Sequence, residues 1–240
     1  MKIIISGYGR MGHLIEKEAI RQGDEVIGIF NEAGDWDTGQ RALDKADVLI
    51  DFSEPKFGEA NALRALSAGC SVVSGTTGWT PELTAIRQIT ESRNVAFLTA
   101  SNFSVGVNLL FFLNKKLSQL VNDHQFDYRP RIEETHHIHK LDAPSGTAIS
   151  LAKQIINNSS FDGWQMAPLV SPNKINITSF RVGEVTGHHL VTYLGTNDYI
   201  RIEHEAYNRV GFAQGALLAA RFIVGKKGVF TIEEVLGLPF

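Results

Sequence analysis

Lys2-Ile3-Ile4-Ile5-Ser6-Gly7-Tyr8-Gly9-Arg10-Met11-Gly12 decides the fold. The β-branched run Lys2 to Ser6 reads as a short strand buried on both faces. Beyond it Met11, Leu14, Ile15 and Ala19 recur at helical spacing, and Gly23 stands where a helix C-terminus favours glycine. Between strand and helix lies G-x-G-x-x-G. In that setting Gly7 allows the tight turn, Gly9 lets backbone approach a pyrophosphate, and Gly12 lets helix and strand pack closely. Tyr8, Arg10 and Met11 fill the turn, and the helix start offers free N–H groups and a positive dipole end to phosphates. The segment therefore predicts a dinucleotide site.

Outward from it the pattern repeats. Strands are predicted at Glu25 to Phe30, Ala46 to Phe52, Ser71 to Ser74 and Val95 to Thr99, with helices at Pro55 to Ala68 and Pro81 to Ser92. Such alternation without long loops is that of a doubly wound α/β domain, a parallel sheet wrapped by helices. The end of the second strand, where an adenine ribose would be met, holds Asn31 and Glu32. Glu32 favours an unphosphorylated ribose, Asn31 suits either form, and no arginine follows before Arg41, so the balance tips towards NADH over NADPH. Two further loops leave strand C-termini, where such sheets place ligands: Gly75-Thr76-Thr77-Gly78 and Ala100-Ser101-Asn102-Phe103-Ser104. Their small and hydroxylated residues suit a nicotinamide and its ribose, although ordinary strand-to-helix turns have the same composition.

Near residue 105 the pattern changes. Helices are predicted at Val107 to Val121 and Ser145 to Asn157, and strands at Asp127 to Thr135, Asn176 to Val182, His188 to Leu194 and Tyr199 to Ala206. A buried helix at Phe212 to Val224 follows. This half reads as a mixed α+β layer.

Composition narrows the function. The 240 residues carry 23 Lys plus Arg against 26 Asp plus Glu, a formal charge of -3, so no basic field invites nucleic acid. Hydrophobic residues make up 43%, enough for a sizeable core. The longest apolar run, Val105 to Leu113, is too short to span a bilayer, and MKIIISGYGR lacks the apolar region of a signal peptide. A single cysteine, Cys70, fits a reducing compartment. The expectation is a cytoplasmic protein with no membrane or nucleic-acid partner.

The chemistry concentrates in Glu133-Glu134-Thr135-His136-His137-Ile138-His139-Lys140-Leu141-Asp142-Ala143-Pro144-Ser145-Gly146-Thr147-Ala148. Clustered histidines can bind metal, but zinc sites usually space them as H-x₃₋₅-H or recruit cysteines, so no metal is expected. A solvated charged loop is the plainer alternative. What argues for chemistry is the end of the segment: Ser145 is a good N-cap, and Gly146 and Thr147 expose the first free N–H groups of a helix. A carboxylate-binding helix start so near a lysine and imidazoles suits an anionic substrate that must also receive a proton.

The stretch E-x-T-H-H-x-x-K-x-D-A-P-S-G-T-A resembles the signature of the bacterial 4-hydroxy-tetrahydrodipicolinate reductase (dihydrodipicolinate reductase) family. Asp51-Phe52-Ser53-Glu54-Pro55, Gly75 to Gly78, Ala100 to Asn108, Arg181-Val182-Gly183, Gly187-His188-His189, His204 and Asn208 to Gly215 continue the likeness in family order along essentially the whole chain. The resemblance implies a Rossmann-type domain at 1–105, rejoined by a C-terminal helix within 212–240. It implies a substrate-binding and tetramerisation domain at 106–211 with a mixed sheet, a hinge between the domains, and a homotetramer. It implies reduction of 4-hydroxy-tetrahydrodipicolinate with NADH or NADPH in lysine and diaminopimelate biosynthesis. His136 matches the family's catalytic histidine and Lys140 its proton donor. His137, Gly146 and Thr147, with Ser145 beside them, match positions that hold the dicarboxylate substrate. Gly75 to Thr77 and Ala100 to Phe103 match cofactor loops. Two departures concern cofactor preference alone: the glycine turn is one residue shorter than in many relatives, and Asn31 stands where many carry an acid followed by arginine. A semialdehyde dehydrogenase would need a nucleophilic cysteine in a catalytic loop, whereas Cys70 follows a helix; a non-enzymatic NAD sensor would have no use for the His–Lys segment.

Overall fold

The computed structural model describes residues 1–240 apart from 125, 170 and 240. The chain divides into two compact units, Met1–Val105 with Arg209–Phe240, and Gly106–Asn208. The first contains β1 (Lys2–Ser6), α1 (Arg10–Arg21), β2 (Glu25–Phe30), α2 (Ala33–Thr38), α3 (Gln40–Leu43), β3 (Val48–Asp51), α4 (Pro55–Ser67), β4 (Ser71–Ser74), α5 (Leu83–Arg93) and β5 (Ala96–Thr99). The helix α6 (Val105–Asp123) spans the boundary. The second unit continues with β6 (Arg129–His136), α7 (Gly146–Ile156), β7 (Gly163–Met166), β8 (Lys174–Arg181), β9 (Gly187–Leu194) and β10 (Tyr199–Ala206). The chain then returns to the first unit with α8 (Val210–Ile223), β11 (Gly228–Phe230) and α9 (Ile232–Leu236).

The first unit is the doubly wound α/β fold expected. Its sheet has the order β11-β5-β4-β3-β1-β2 with every pair parallel. Ile3 and Ile5 point into one core with Val48, Ile50, Val73 and Leu98, under α1 and α8. Ile4 points into the other with Leu49, Val72 and Phe97, under α4 and α5. Both faces are therefore covered, which is why β1 reads as an unbroken apolar run. Each of its buried isoleucines contributes on the order of 1.5–3 kcal/mol. Because β2 and β3 flank β1 on opposite sides, the winding direction reverses at β1, and the crevice outside the strand C-termini opens there.

The second unit has a mixed sheet of order β10-β9-β6-β8-β7, antiparallel from β10 to β6 and parallel from β6 to β7. Ile132, Ile175, Ile177, Val191 and Tyr193 pack from one face against Leu110 of α6 and Leu151, Ala152 and Ile155 of α7.

One expectation is extended and one corrected. The helix expected at Phe212 to Val224 is α8, which ends at Ile223, and beyond it β11 adds a sixth parallel strand before the short α9. Three residues led by Gly228 at φ +114° carry no periodicity from which a strand could be read. The strand expected at Asp127 to Thr135 runs instead from Arg129 to His136, since β8 pairs with it as far as Arg181 opposite His136. That shift brings His136 into the sheet. The elements α2, α3 and β7, each of six residues or fewer, were not anticipated.

Candidate active site

The glycine turn needs its glycines. Gly7 sits at φ +82°, and a Cβ there would lie 2.4 Å from the Phe52 carbonyl oxygen. A Cβ on Gly12 would lie 2.4 Å from the oxygen of Gly7. Gly9 caps α1 without a side-chain hydrogen bond, and the space a Cβ would take there is open. Backbone can thus reach a phosphate at Gly9, while the first N–H groups of α1 point towards it. Arg10 is exposed at the start of α1, and Met11 packs on the core behind it.

A cleft of about 540 Å³ follows the turn, lined by Gly7, Tyr8 and Gly9, by Asn31 and Glu32 after β2, and by Ser53 and Glu54 after β3. That size suits a small-molecule or cofactor site. The Asn31 carboxamide oxygen accepts the Tyr8 N–H at 3.0 Å, so Asn31 locks the glycine turn to the end of β2. Asp35 accepts the N–H groups of both Asn31 and Glu32 at 2.8 Å, which holds its carboxyl below the usual range. Arg64 of α4 also lines the cleft, held by the Trp36 carbonyl at 2.8 Å and by Asp37 at 3.1 Å. Local sequence does not announce this cation, because it comes from α4, more than thirty residues beyond the end of β2.

The other two loops lie at the ends of β4 and β5. Thr76 is buried, its hydroxyl donating to Asp51 at 2.5 Å and accepting the Ser53 N–H at 2.9 Å. Asn61 completes this network with hydrogen bonds to Ser6, Asp51 and Ser53. Gly75 passes so close to the Phe52 ring that a Cβ would lie 2.3 Å from it, while Thr77 is exposed. Ala100 donates its N–H to the Ser74 carbonyl at 3.2 Å, and Asn102 accepts the Ser104 N–H at 2.8 Å. Ser101 is exposed, but Phe103 is 2% exposed and belongs to the core, so only its backbone is available to a ligand.

In the second unit, strand alternation turns Pro130, Ile132, Glu134 and His136 inward. Glu134 is fully buried and hydrogen-bonds Nδ1 of His136 through Oε2. Its Oε1 accepts Arg181 Nη1 at 3.0 Å and the Ser145 N–H at 3.3 Å. Burial pushes this carboxyl up, yet His136, Ser179 and Arg181 together outweigh it and hold the group down at about 2. Arg181 also donates to the carbonyls of Asp142 at 2.5 Å and Lys140 at 3.4 Å. One guanidinium therefore ties the loop after β6 to the carboxylate that carries His136.

Lys140 places Nζ 2.8 Å from Asp142 Oδ1. Burial works against the Asp142 carboxylate, but the ammonium prevails and lowers its pKa. His137 is half-buried, with its ring 6.1 Å from that of His139. Ser145 is 2% exposed and caps α7: its Oγ accepts the Ala148 N–H at 3.2 Å and pairs with Nε2 of His189 at 3.0 Å. The groups that the start of α7 offers to solution are therefore Gly146, with open space beside it, and the half-buried Thr147. His189 stands T-shaped to His136 at 5.1 Å, and burial together with the neighbouring His136 brings its pKa down to about 3. No group of three or more His, Cys, Asp or Glu among the described residues could hold a metal ion. The pairing of Glu134 with His136 depends on the strand reaching His136, which puts both side chains of E-x-H on one face, and Arg181 joins them only through the β6–β8 register.

A Rossmann-type unit with an open glycine cradle, in one chain with an α+β unit bearing a buried carboxylate–histidine pair and a lysine loop, belongs to the class of nicotinamide-dependent oxidoreductases. Residues 1–103 match the family model described as dihydrodipicolinate reductase, N-terminus, and residues 106–236 match that of the C-terminus. The chain belongs to the dihydrodipicolinate reductase family. It is 43% identical to the 4-hydroxy-tetrahydrodipicolinate reductase of Christiangramia forsetii, with 98% of each chain covered. It is 35% identical to that of Akkermansia muciniphila, covering 99% of this chain and 98% of the relative. A dipicolinate-bound dihydrodipicolinate reductase from Paenisporosarcina sp. TG-14 shares the fold with a TM-score of 0.77 and 21% identity over 98% of each chain. Among the described residues no helix is long and apolar enough to cross a membrane.

Proposed function

We propose that this chain reduces 4-hydroxy-tetrahydrodipicolinate to tetrahydrodipicolinate and water, consuming NADH or NADPH and one proton, in lysine and diaminopimelate biosynthesis. The observation that carries the reading is the β6–α7 connection, in which an imidazole, an ammonium and an anion-binding helix start follow one another under the hold of Glu134 and Arg181. The bound dinucleotide supplies the hydride. The protein supplies the rest. Gly146 and Thr147, at the start of an 11-residue helix, offer N–H groups to one carboxylate of the dicarboxylate, with His137 as a further polar contact. Lys140 Nζ, kept beside an ionised Asp142, and His136 form the proton side.

The glycine turn is the site for the pyrophosphate, and Gly75 to Thr77 and Ala100 to Phe103 are the loops for the nicotinamide half. Around the cleft Glu32, Asp37 and Glu54 outnumber Arg64, which is already paired with Asp37, and this supports NADH over NADPH. Assembly into a homotetramer is supported by the sheet face opposite the core of the second unit, where Phe180, Leu194 and Tyr199 stay exposed. The buried thiol of Cys70, pushed up to about 12 by burial and by nearby Asp47, fits the reducing cytoplasm. A net charge of -3 fits a small-molecule partner and not nucleic acid.

The test follows oxidation of NADH and of NADPH, with substrate generated in place by the condensation of pyruvate with aspartate semialdehyde. Wild type should oxidise the cofactor only when substrate is present, and NADH faster. Lys140→Ala should lower turnover by ~10²-fold or more, the usual scale for a general acid. Unchanged turnover in the variant removes Lys140 from the mechanism, and nicotinamide binding without turnover overturns the reading as a reductase.

A further inference from the structure

We propose that Glu134 is a positioning residue that fixes the tautomer of His136, with the proton on Nδ1, so that Nε2 is the nitrogen that exchanges a proton with substrate. The inference deepens the reading of His136 given above and rests on it.

The two oxygens of Glu134 have separate tasks. Oε1 accepts two donors from other elements, the Ser145 N–H at the start of α7 and Arg181 Nη1 at the end of β8. Oε2 is left to Nδ1 of His136. An ionised carboxylate can only accept, so the ring nitrogen that faces it must be the donor. With Nδ1–H engaged, Nε2 carries the lone pair of the neutral ring and the mobile proton of the charged one. The neighbourhood keeps that nitrogen clear: Gly187 faces it, and a Cβ at 187 would lie 3.2 Å from Nε2. Full burial leaves Glu134 no water with which to exchange its bonds, and Arg181 compensates its charge. The same carboxylate is bonded to the N-cap of α7, so the orientation of His136 and the start of the proposed carboxylate-binding helix are set by one group.

Glu134→Gln gives a specific test. Arg181 and the Ser145 N–H both need an acceptor at the Oε1 position, so the amide oxygen settles there and the amide NH₂ faces His136. An NH₂ cannot accept from Nδ1–H, and the ring must reverse to the Nε2–H tautomer. Long-range nitrogen-15 correlation spectra of the imidazoles, recorded on the full-length protein over a pH series, report the tautomer of the neutral ring. The wild type is expected to show Nδ1–H and Glu134→Gln Nε2–H, with kcat down by ~10²-fold or more and KM little changed. Glu134→Asp, which keeps the charge, should retain Nδ1–H and recover part of the turnover. An Nε2–H ring in the wild type overturns the proposal even if Glu134→Gln fails to fold. So does a reversed tautomer without loss of turnover, provided His136→Asn is inactive. An active His136→Asn instead sinks the reading of His136 itself, which separates the two failures.

Discussion

Three buried polar residues in the second unit, Glu134, Ser145 and His189, hold one another in place, and the protonation of Glu134 and His189 links the site to stability. His189 is 4% exposed, pairs with Ser145 Oγ, and is faced by His136, Glu134, His188 and His204. Its pKa falls from the ordinary 6.5 to about 3, through burial first and the positive field of His136 second. Between those values the unfolded chain binds a proton that the folded protein refuses, so this contribution to stability falls as pH falls. It is fully present above 6.5. Glu134 acts in the same sense at lower pH, being ionised in the fold down to about 2 and protonated near 4.5 when unfolded. Urea midpoints should therefore drop between pH 7 and pH 5, and His189→Gln should flatten that slope. An equal slope in wild type and variant would show that His189 is not the group responsible.

At the scale of elements, α8 illustrates how a helix is fitted to a loop. Gly215 lies so close to Phe103 that a Cβ would come within 1.7 Å of the Phe103 carbonyl oxygen, whereas Gly211, one turn earlier, faces open space. Alanine at 215 must push α8 off the loop that follows β5, at a cost of about 3 kcal/mol or more, the upper end of the overpacking range. Alanine at 211 should be neutral or stabilising by up to about 1 kcal/mol, because it replaces a flexible residue in a helix. Thermal or urea unfolding of the two variants checks the contrast, and similar midpoints would refute it. Strand β6 shows where periodicity is a weaker guide. Its alternation was legible, but its end was not, because the final pair is set by β8 and not by residues within β6. The glycine turn, by contrast, was fully legible: each glycine stands where its own backbone or a neighbouring carbonyl excludes a side chain or where the cleft is left open.

At the scale of the whole molecule, each unit has its own core and its own half of the proposed chemistry. In the second unit one sheet face is spent on α6 and α7, and the other carries Phe180, Leu194 and Tyr199 among Arg131, Glu133, Arg201 and Glu203. If that face joins copies into the proposed tetramer, charges placed on its apolar members break the assembly. Phe180→Arg combined with Leu194→Arg should sediment as a smaller species while still binding NADH, since the glycine turn belongs to the other unit. A double variant that sediments like wild type would move the interface elsewhere.

The amino-acid sequence by itself determined the doubly wound α/β half, the glycine turn and the His–Lys segment, because each is encoded by short-range pattern: an apolar run, glycines at fixed spacing, an N-cap before a helix. Its family membership was legible for the same reason, as motifs in order along the chain. Only the tertiary structure decided that β11 completes the sheet, that Arg64 lines the cleft beside the glycine turn, and that Glu134 and Arg181 hold the histidine and the lysine loop. Those contacts join strands, helices and loops through paired registers and buried charges, so they exist only once separate elements are packed together.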